Sequence, residues 1–209
     1  MWERGVRVVG TEASEGTRRE QLKAERRRRL LEAGARLIAD RGFLGVRLDD
    51  LGAAVGISGP AVYRHFPSKE ALLVELLVGV SERLLDGGRA VLADHAGGDP
   101  RSVIAGLVDF HLDFALGEPE LIRIQDRDLD QMPDDARRRV RRTQRQYVEL
   151  WVDALQRVHP QLSEGEARVR AHAVFGLMNS TPHSATASDA ERVRPALREM
   201  ALAALVGVS

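Results

Sequence analysis

The chain has 209 residues and balances 31 Lys and Arg against 31 Asp and Glu; 44% of it is hydrophobic and only 4% aromatic. It contains no cysteine, which excludes a disulfide framework, a thiolate metal site and a cysteine nucleophile. No apolar run reaches the ~18 residues of a membrane span, and residues 1–70 hold 14 basic against 10 acidic side chains, so the chain's positive charge is local to the N-terminal end.

Met1–Gly10 is too polar and too short for a signal peptide. Residues 1–17 show no period and carry Gly, Ser and Thr, the composition of a disordered arm. Arg18 and Arg19 are then either solvated tail charges or an arm that reaches a minor groove. A first helix is predicted from about Arg19 to Arg41. Leu30, Leu31, Ala33, Ala35, Leu37 and Ile38 form its buried stripe, Gly42 stops it, and Phe43 and Leu44 close it. The run Arg26 to Arg29 either solvates one face of that helix or lies along a phosphate backbone.

Residues 48–55 and 59–66 read as two short helices sharing an apolar core of Leu51, Val55, Ile57 and Val62. Gly56 supplies the positive φ of the turn between them. Gly52, in mid-helix, implies that another backbone passes close by. Ser58 is placed to cap the second helix and Pro60 suits its first turn. Tyr63, Arg64, His65 and Lys69 gather groups that bind phosphates or base edges, Pro67 ends the helix, and Ser68 caps the next.

The run from Leu48 to Leu73 resembles, almost residue for residue, the DNA-binding domain of the tetracycline-repressor (TetR) family of bacterial transcription factors. The resemblance covers roughly residues 22–73. One departure stands at the entry to the second helix, where the family places Thr or Ser and this chain has Arg47. The cap is weaker there, and Arg47 becomes an added candidate for a DNA contact. The resemblance implies an all-α protein with an N-terminal three-helix helix-turn-helix domain and a larger helical domain for ligand binding and dimerisation. The expected divisions are an arm at 1–17, the DNA-binding domain at 18–68 and the second domain at 69–209. The DNA contacts it implies are Arg47, Ser58, Gly59, Pro60, Ala61, Tyr63, Arg64, His65 and Lys69, with Arg64 as the one donor fork suited to guanine.

A long helix is predicted from Lys69 to about Ala93, loosened at Gly87-Gly88, followed by a loop at His95–Pro100. Further helices are expected over 101–117, 119–128, 133–158, 163–184 and about 190–206. Pro195 either kinks the last or places its true start near Arg194. The helix 163–184 is apolar on more than one side, and His172, Asn179 and His183 make a polar line along it at i, i+7 and i+11.

Phe110, His111, Phe114, Arg123, Tyr147, Trp151, His172, Phe175, Met178 and Asn179 are the candidate ligand-binding residues, an apolar wall with a few polar anchors. Arg123 and Arg127 are candidates to meet an anionic head. Val169, Ala173, Leu177, Leu197, Met200, Ala201, Ala204 and Leu205 are the candidate homodimer face. For His111, His172 and His183 the choice among ligand, metal and neither stays open, but no H-x-x-x-H or H-E-x-x-H spacing exists and no metal site is assigned. No catalytic residue and no cofactor are assigned, because no nucleophile elbow, P-loop or dinucleotide motif is present. The expected function is a cytoplasmic, ligand-responsive regulator, more a repressor than an activator. It would bind a palindromic operator in double-stranded DNA as a homodimer and be released by a small hydrophobic or acyl-type effector. The second domain resembles C-terminal domains of actinobacterial regulators, some of which respond to fatty acids or acyl-coenzyme A esters. The alternative is a ligand-binding or enzymatic helical protein whose helix-turn-helix is vestigial.

Overall fold

Helices and short turns make up the computed structural model, which describes residues 11–181 and 190–207, with side chains from residue 18 onward and excepting Ala190. In order they are α1 (Thr11–Arg41), α2 (Leu48–Val55), α3 (Gly59–Tyr63), α4 (Lys69–Asp94), α5 (Pro100–Gly117), α6 (Pro119–Asp128), α7 (Asp134–Val158), α8 (Glu164–Met178) and α9 (Ala190–Val206). A 3-10 turn over Leu129–Gln131 joins α6 to α7, and no strand occurs among the described residues. None of the helices is long and apolar enough to cross a membrane. α1 begins at Thr11, so the last seven residues of the expected arm are helical; residues 1–10 lie outside the described part, as does His183.

Local chemistry accounts for most boundaries. Gly42 and Gly56 both adopt positive φ, +79° and +73°, and end α1 and α2 in the left-handed conformation that costs glycine least. At Gly52 an added Cβ would stand 2.7 Å from the Ile57 carbonyl oxygen, so the turn closes only because that side chain is missing. Ser68 caps α4 by accepting from Ala71 N–H at 3.1 Å, and Ser163 begins α8 in a reciprocal capping box with Glu166. Arg47 caps α2 by half a box: the Asp50 carboxylate accepts from its backbone N–H at 2.8 Å. Ser58 stands at the start of α3 as expected, but its hydroxyl makes no capping bond there.

Two apolar cores run into one another along α4. The first joins Leu30, Ile38, Phe43, Leu51, Val62, Phe66 and Leu72 to Leu121 and Ile124 of α6 and to Val140 of α7. The second gathers Leu85, Leu107, Leu112, Trp151, Leu155, Ala171, Met178, Leu197, Ala201 and Leu205. The two cores meet within α4, between Val80 and Leu85. α4 is unbroken through Gly87-Gly88. The two glycines make room instead for the ring of Phe110 and for Tyr147, which would stand 2.8 Å from a Cβ at Gly88. α9 is helical through Pro195 and begins at Ala190, not near Arg194.

Candidate functional site

The first site is the outer face of α2 and α3. Val62 is fully buried and anchors α3 to the head's core, which turns Pro60, Tyr63 and Arg64 outward. Tyr63 is 52% exposed. Arg47 and Ser58 are exposed on the same side, and Gly59, Ala61, His65 and Lys69 are half-buried. α3 proper is shorter than expected, ending at Tyr63, and Arg64 follows as its last helical cap. Lys69 is less free than its sequence position suggests, since its ammonium lies 4.4 Å from the centre of the Phe43 ring. His65 has its pKa pushed below the usual value, first by burial and then by the charges of Arg27, Arg26, Lys23 and Arg64.

Arg27 holds this reading head to α4. Its Nε donates to Glu75 at 2.8 Å, its Nη1 donates to the His65 carbonyl at 2.6 Å, and its guanidinium covers the Phe66 ring at 4.4 Å. One member of the basic run in α1 thus points inward, and Arg28 pairs with Glu25 and Glu32 on the surface.

The second site is a cavity of about 230 Å³ between α4, α5, α6, α7 and α8, lined by Ser81, Leu84, His111, Phe114, Ile122, Gln125, Gln144, Tyr147, Val148, His172, Phe175 and Asn179. At its centre is buried His111. Its Nε2 donates to Asn179 Oδ1 at 3.0 Å, which leaves Nδ1 to accept from the Tyr147 hydroxyl at 3.3 Å. Burial pushes the imidazole pKa down to about 4 against a smaller opposing effect of the Asn179 bond, so the ring is neutral near pH 7. Burial likewise raises the Tyr147 pKa, and the phenol stays protonated. Rings close around the histidine: Phe175 at 5.0 Å, Phe114 at 5.7 Å and Trp151 at 6.1 Å between centroids.

Of the ten candidate ligand residues, His111, Phe114, Tyr147, His172, Phe175 and Asn179 line this cavity. Trp151 and Met178 are fully buried behind it. Phe110 faces a separate groove with Val80, Arg83 and Asp113. Arg123 is exposed on α6 and does not line the cavity. Arg127 is otherwise engaged: its guanidinium donates to the carbonyls of Ile38 and Ala39 at the end of α1, while Asp128 accepts from Phe43 N–H at 3.3 Å. Neither arginine lines the cavity, because Arg123 stands on the exposed side of α6 and Arg127 reaches to the end of α1. Sequence reasoning missed Ser81, Leu84, Ile122, Gln125, Gln144 and Val148. A signal existed for two of them, since Gln144, Tyr147, Val148 and Trp151 fall at i, i+3, i+4 and i+7 on one face of α7.

The candidate dimer face splits in two. Leu197, Ala201 and Leu205 are buried in the protomer's own core, at 5%, 0% and 0% exposure. They are unavailable to a partner because α9 turns that stripe onto α5 and α8. Val169 and Met200 are open at 69% and 47%, Ala173 and Ala204 are exposed, and Leu177 is half-buried. No group of three or more potential metal ligands occurs among the described residues.

A short helix-turn-helix head on a larger helical body with an internal cavity defines a class of DNA-binding regulators. Residues 30–76 match the family described as bacterial regulatory proteins, tetR family, and residues 97–183 match the tetracyclin repressor-like C-terminal domain. The chain belongs to the TetR family of regulatory proteins. Among curated relatives, the HTH-type transcriptional repressor KstR2 of Rhodococcus jostii is 36% identical over 86 residues, 41% of this chain and 41% of the relative. The chain thus matches about two-fifths of that relative's length. Among solved structures, a TetR-family regulator from Bordetella parapertussis shares the fold at TM-score 0.76 and 23% identity, covering 88% of this chain and 97% of that one. AibR, solved in complex with isovaleryl coenzyme A and operator DNA, shares it at TM-score 0.69 and 20% identity, covering 84% and 97%.

Proposed function

We propose that this protein is a ligand-responsive repressor that binds a near-palindromic operator as a homodimer and releases it when a small, largely apolar effector enters the cavity. The observation that carries the reading is the double duty of α6. Its Ile122 and Gln125 line the cavity, and its end, Arg127 and Asp128, holds the last turn of α1 and the backbone of Phe43. A ligand that pushes on α6 therefore acts on the helix that supports the reading head, and it needs only to bind the DNA-incompetent state better. A hundredfold preference corresponds to about 2.7 kcal/mol of coupling.

Two recognition helices, one per protomer, would enter successive major grooves, with Arg64 on a guanine and Tyr63, His65, Lys69 and Arg47 near phosphates. The open apolar strip of Val169, Ala173, Met200 and Ala204 is the surface offered to the second copy. The name of KstR2 as a repressor and the isovaleryl coenzyme A and operator DNA of the AibR complex support this reading. A protein of this kind works in the cytoplasm. Fluorescence anisotropy with palindromic fragments, in rising salt and then with added hydrophobic ligands, tests it. Salt-insensitive or absent DNA binding would refute the repressor role and return the vestigial helix-turn-helix reading to first place.

A further inference from the structure

A second, outer cavity adjoins the aromatic one. That outer cavity, also about 230 Å³, is lined by Arg141, Gln144, Arg145, Val148, Arg168 and His172. Gln144, Val148 and His172 line both. The two lie side by side along α7 and α8, the inner one uncharged and ringed by aromatic groups and the outer one bearing three guanidiniums. No carboxylate lines either part.

Helical spacing builds the basic end. Arg141, Gln144, Arg145 and Val148 lie at i, i+3, i+4 and i+7 on α7, and Arg168 and His172 lie one turn apart on α8. Arg168 is oriented by a two-pronged pairing with Glu149, at 2.5 and 2.9 Å, and by Glu164 at 2.6 Å, which also offset its charge. Among the described residues Arg141 meets only the carboxylate of Asp130, at 3.5 Å and itself 75% exposed. Arg145 has no carboxylate partner among the described residues. Like charges one turn apart repel, so the pair Arg141 and Arg145 is short of negative charge beside an uncharged cavity.

We propose that the effector is an amphiphile with a short apolar group in the inner cavity and a phosphate-bearing, multiply charged head on Arg141 and Arg145, beside the carboxylate-paired Arg168. The proposal rests on the effector reading above and assigns its head a site on α7 and α8 instead of α6. The inner volume corresponds to roughly seven or eight water-sized groups at about 30 Å³ each, room for a short acyl chain. Guanidinium forks match phosphate oxygens two at a time, and several of them favour a head of several charges over one carboxylate.

Calorimetry on the full chain at low salt tests this with three probes: hexanoyl-coenzyme A, coenzyme A alone, and the hexanoyl thioester of N-acetylcysteamine, which carries the same acyl group on a neutral carrier. Hexanoyl-coenzyme A is expected to bind at least tenfold tighter than the neutral thioester and than coenzyme A alone. That advantage should fall with added salt and vanish in the double variant Arg141→Gln/Arg145→Gln. Far-UV melting of that variant checks its fold, and its affinity for the neutral thioester checks the inner cavity. Equal affinity for the two thioesters overturns the proposal, as does an advantage that survives the double substitution or no binding of hexanoyl-coenzyme A. If the neutral thioester releases operator DNA while the coenzyme A ester has no advantage, the effector reading stands and the basic head site falls. If no palindromic DNA is bound at all, the repressor reading falls and the calorimetric comparison still decides the head site.

Discussion

Replacing His111 with Gln tests the centre of the cavity, because Gln can keep a donor toward Asn179 but cannot take up a proton. In the folded chain the His111 pKa is held down to about 4, with burial the main cause; in the unfolded chain it returns to the ordinary value of about 6.5. The folded state therefore favours the neutral ring. As pH falls through 6.5 the unfolded chain gains a proton that the folded chain refuses, and stability is lost progressively until about pH 4. The loss reaches about 2 kcal/mol at pH 5 and about 3 kcal/mol at pH 4, at 1.36 kcal/mol for each unit between the two pKa values. For a chain of this size that corresponds to a fall in Tm of about 4–8 °C at pH 5. The assay is thermal and urea denaturation of wild type and His111→Gln between pH 7.5 and 5, at one fixed protein concentration so that dimerisation does not confound it. The variant should start less stable at pH 7.5, because it fits the ring of aromatic groups less well, and the gap should close as pH falls. A gap that is flat across this range would refute the reasoning, since it would mean that His111 titrates alike in both states.

Arg64→Ala should cost about 1–3 kcal/mol on the operator and relax preference at one base position, whereas equal loss on operator and random DNA would remove the guanine assignment. Arg127→Ala should leave effector affinity within about twofold while blunting ligand-driven DNA release, since the carbonyls of Ile38 and Ala39 lose their tie to α6; full release at the wild-type ligand concentration would break the α6 route. Met200→Glu should give a folded monomer by sedimentation with weakened operator binding, because the side chain is 47% exposed and the charge meets only the partner. Leu197→Glu should instead fail to fold, by a lost far-UV signal, because it puts an unpaired charge at a site only 5% exposed.

The helix-turn-helix was legible in the sequence because what builds it is local. Gly56 turns the chain, Gly52 admits the Ile57 carbonyl, Ser68 caps α4, and Val62 needs only the helix before it to be buried. The aromatic wall was legible in part, since Phe114, Tyr147 and Phe175 are rare large side chains in a chain poor in them. What joins distant segments was decided only by the tertiary structure. His111 meets Asn179 across 68 residues, Arg27 reaches Glu75 across 48, and Arg127 holds α1 across 89. The same sequence pattern served two fates at the C-terminal end. Leu197, Ala201 and Leu205 read as an open apolar face, and the rotation of α9 against α5 and α8 buries them while leaving Met200 and Ala204 outside. Periodicity states that a helix has an apolar stripe, but a stripe carries no mark of which neighbour covers it. That choice belongs to the packing of all the helices together, where burying one face of α9 on its own protomer leaves the next exposed.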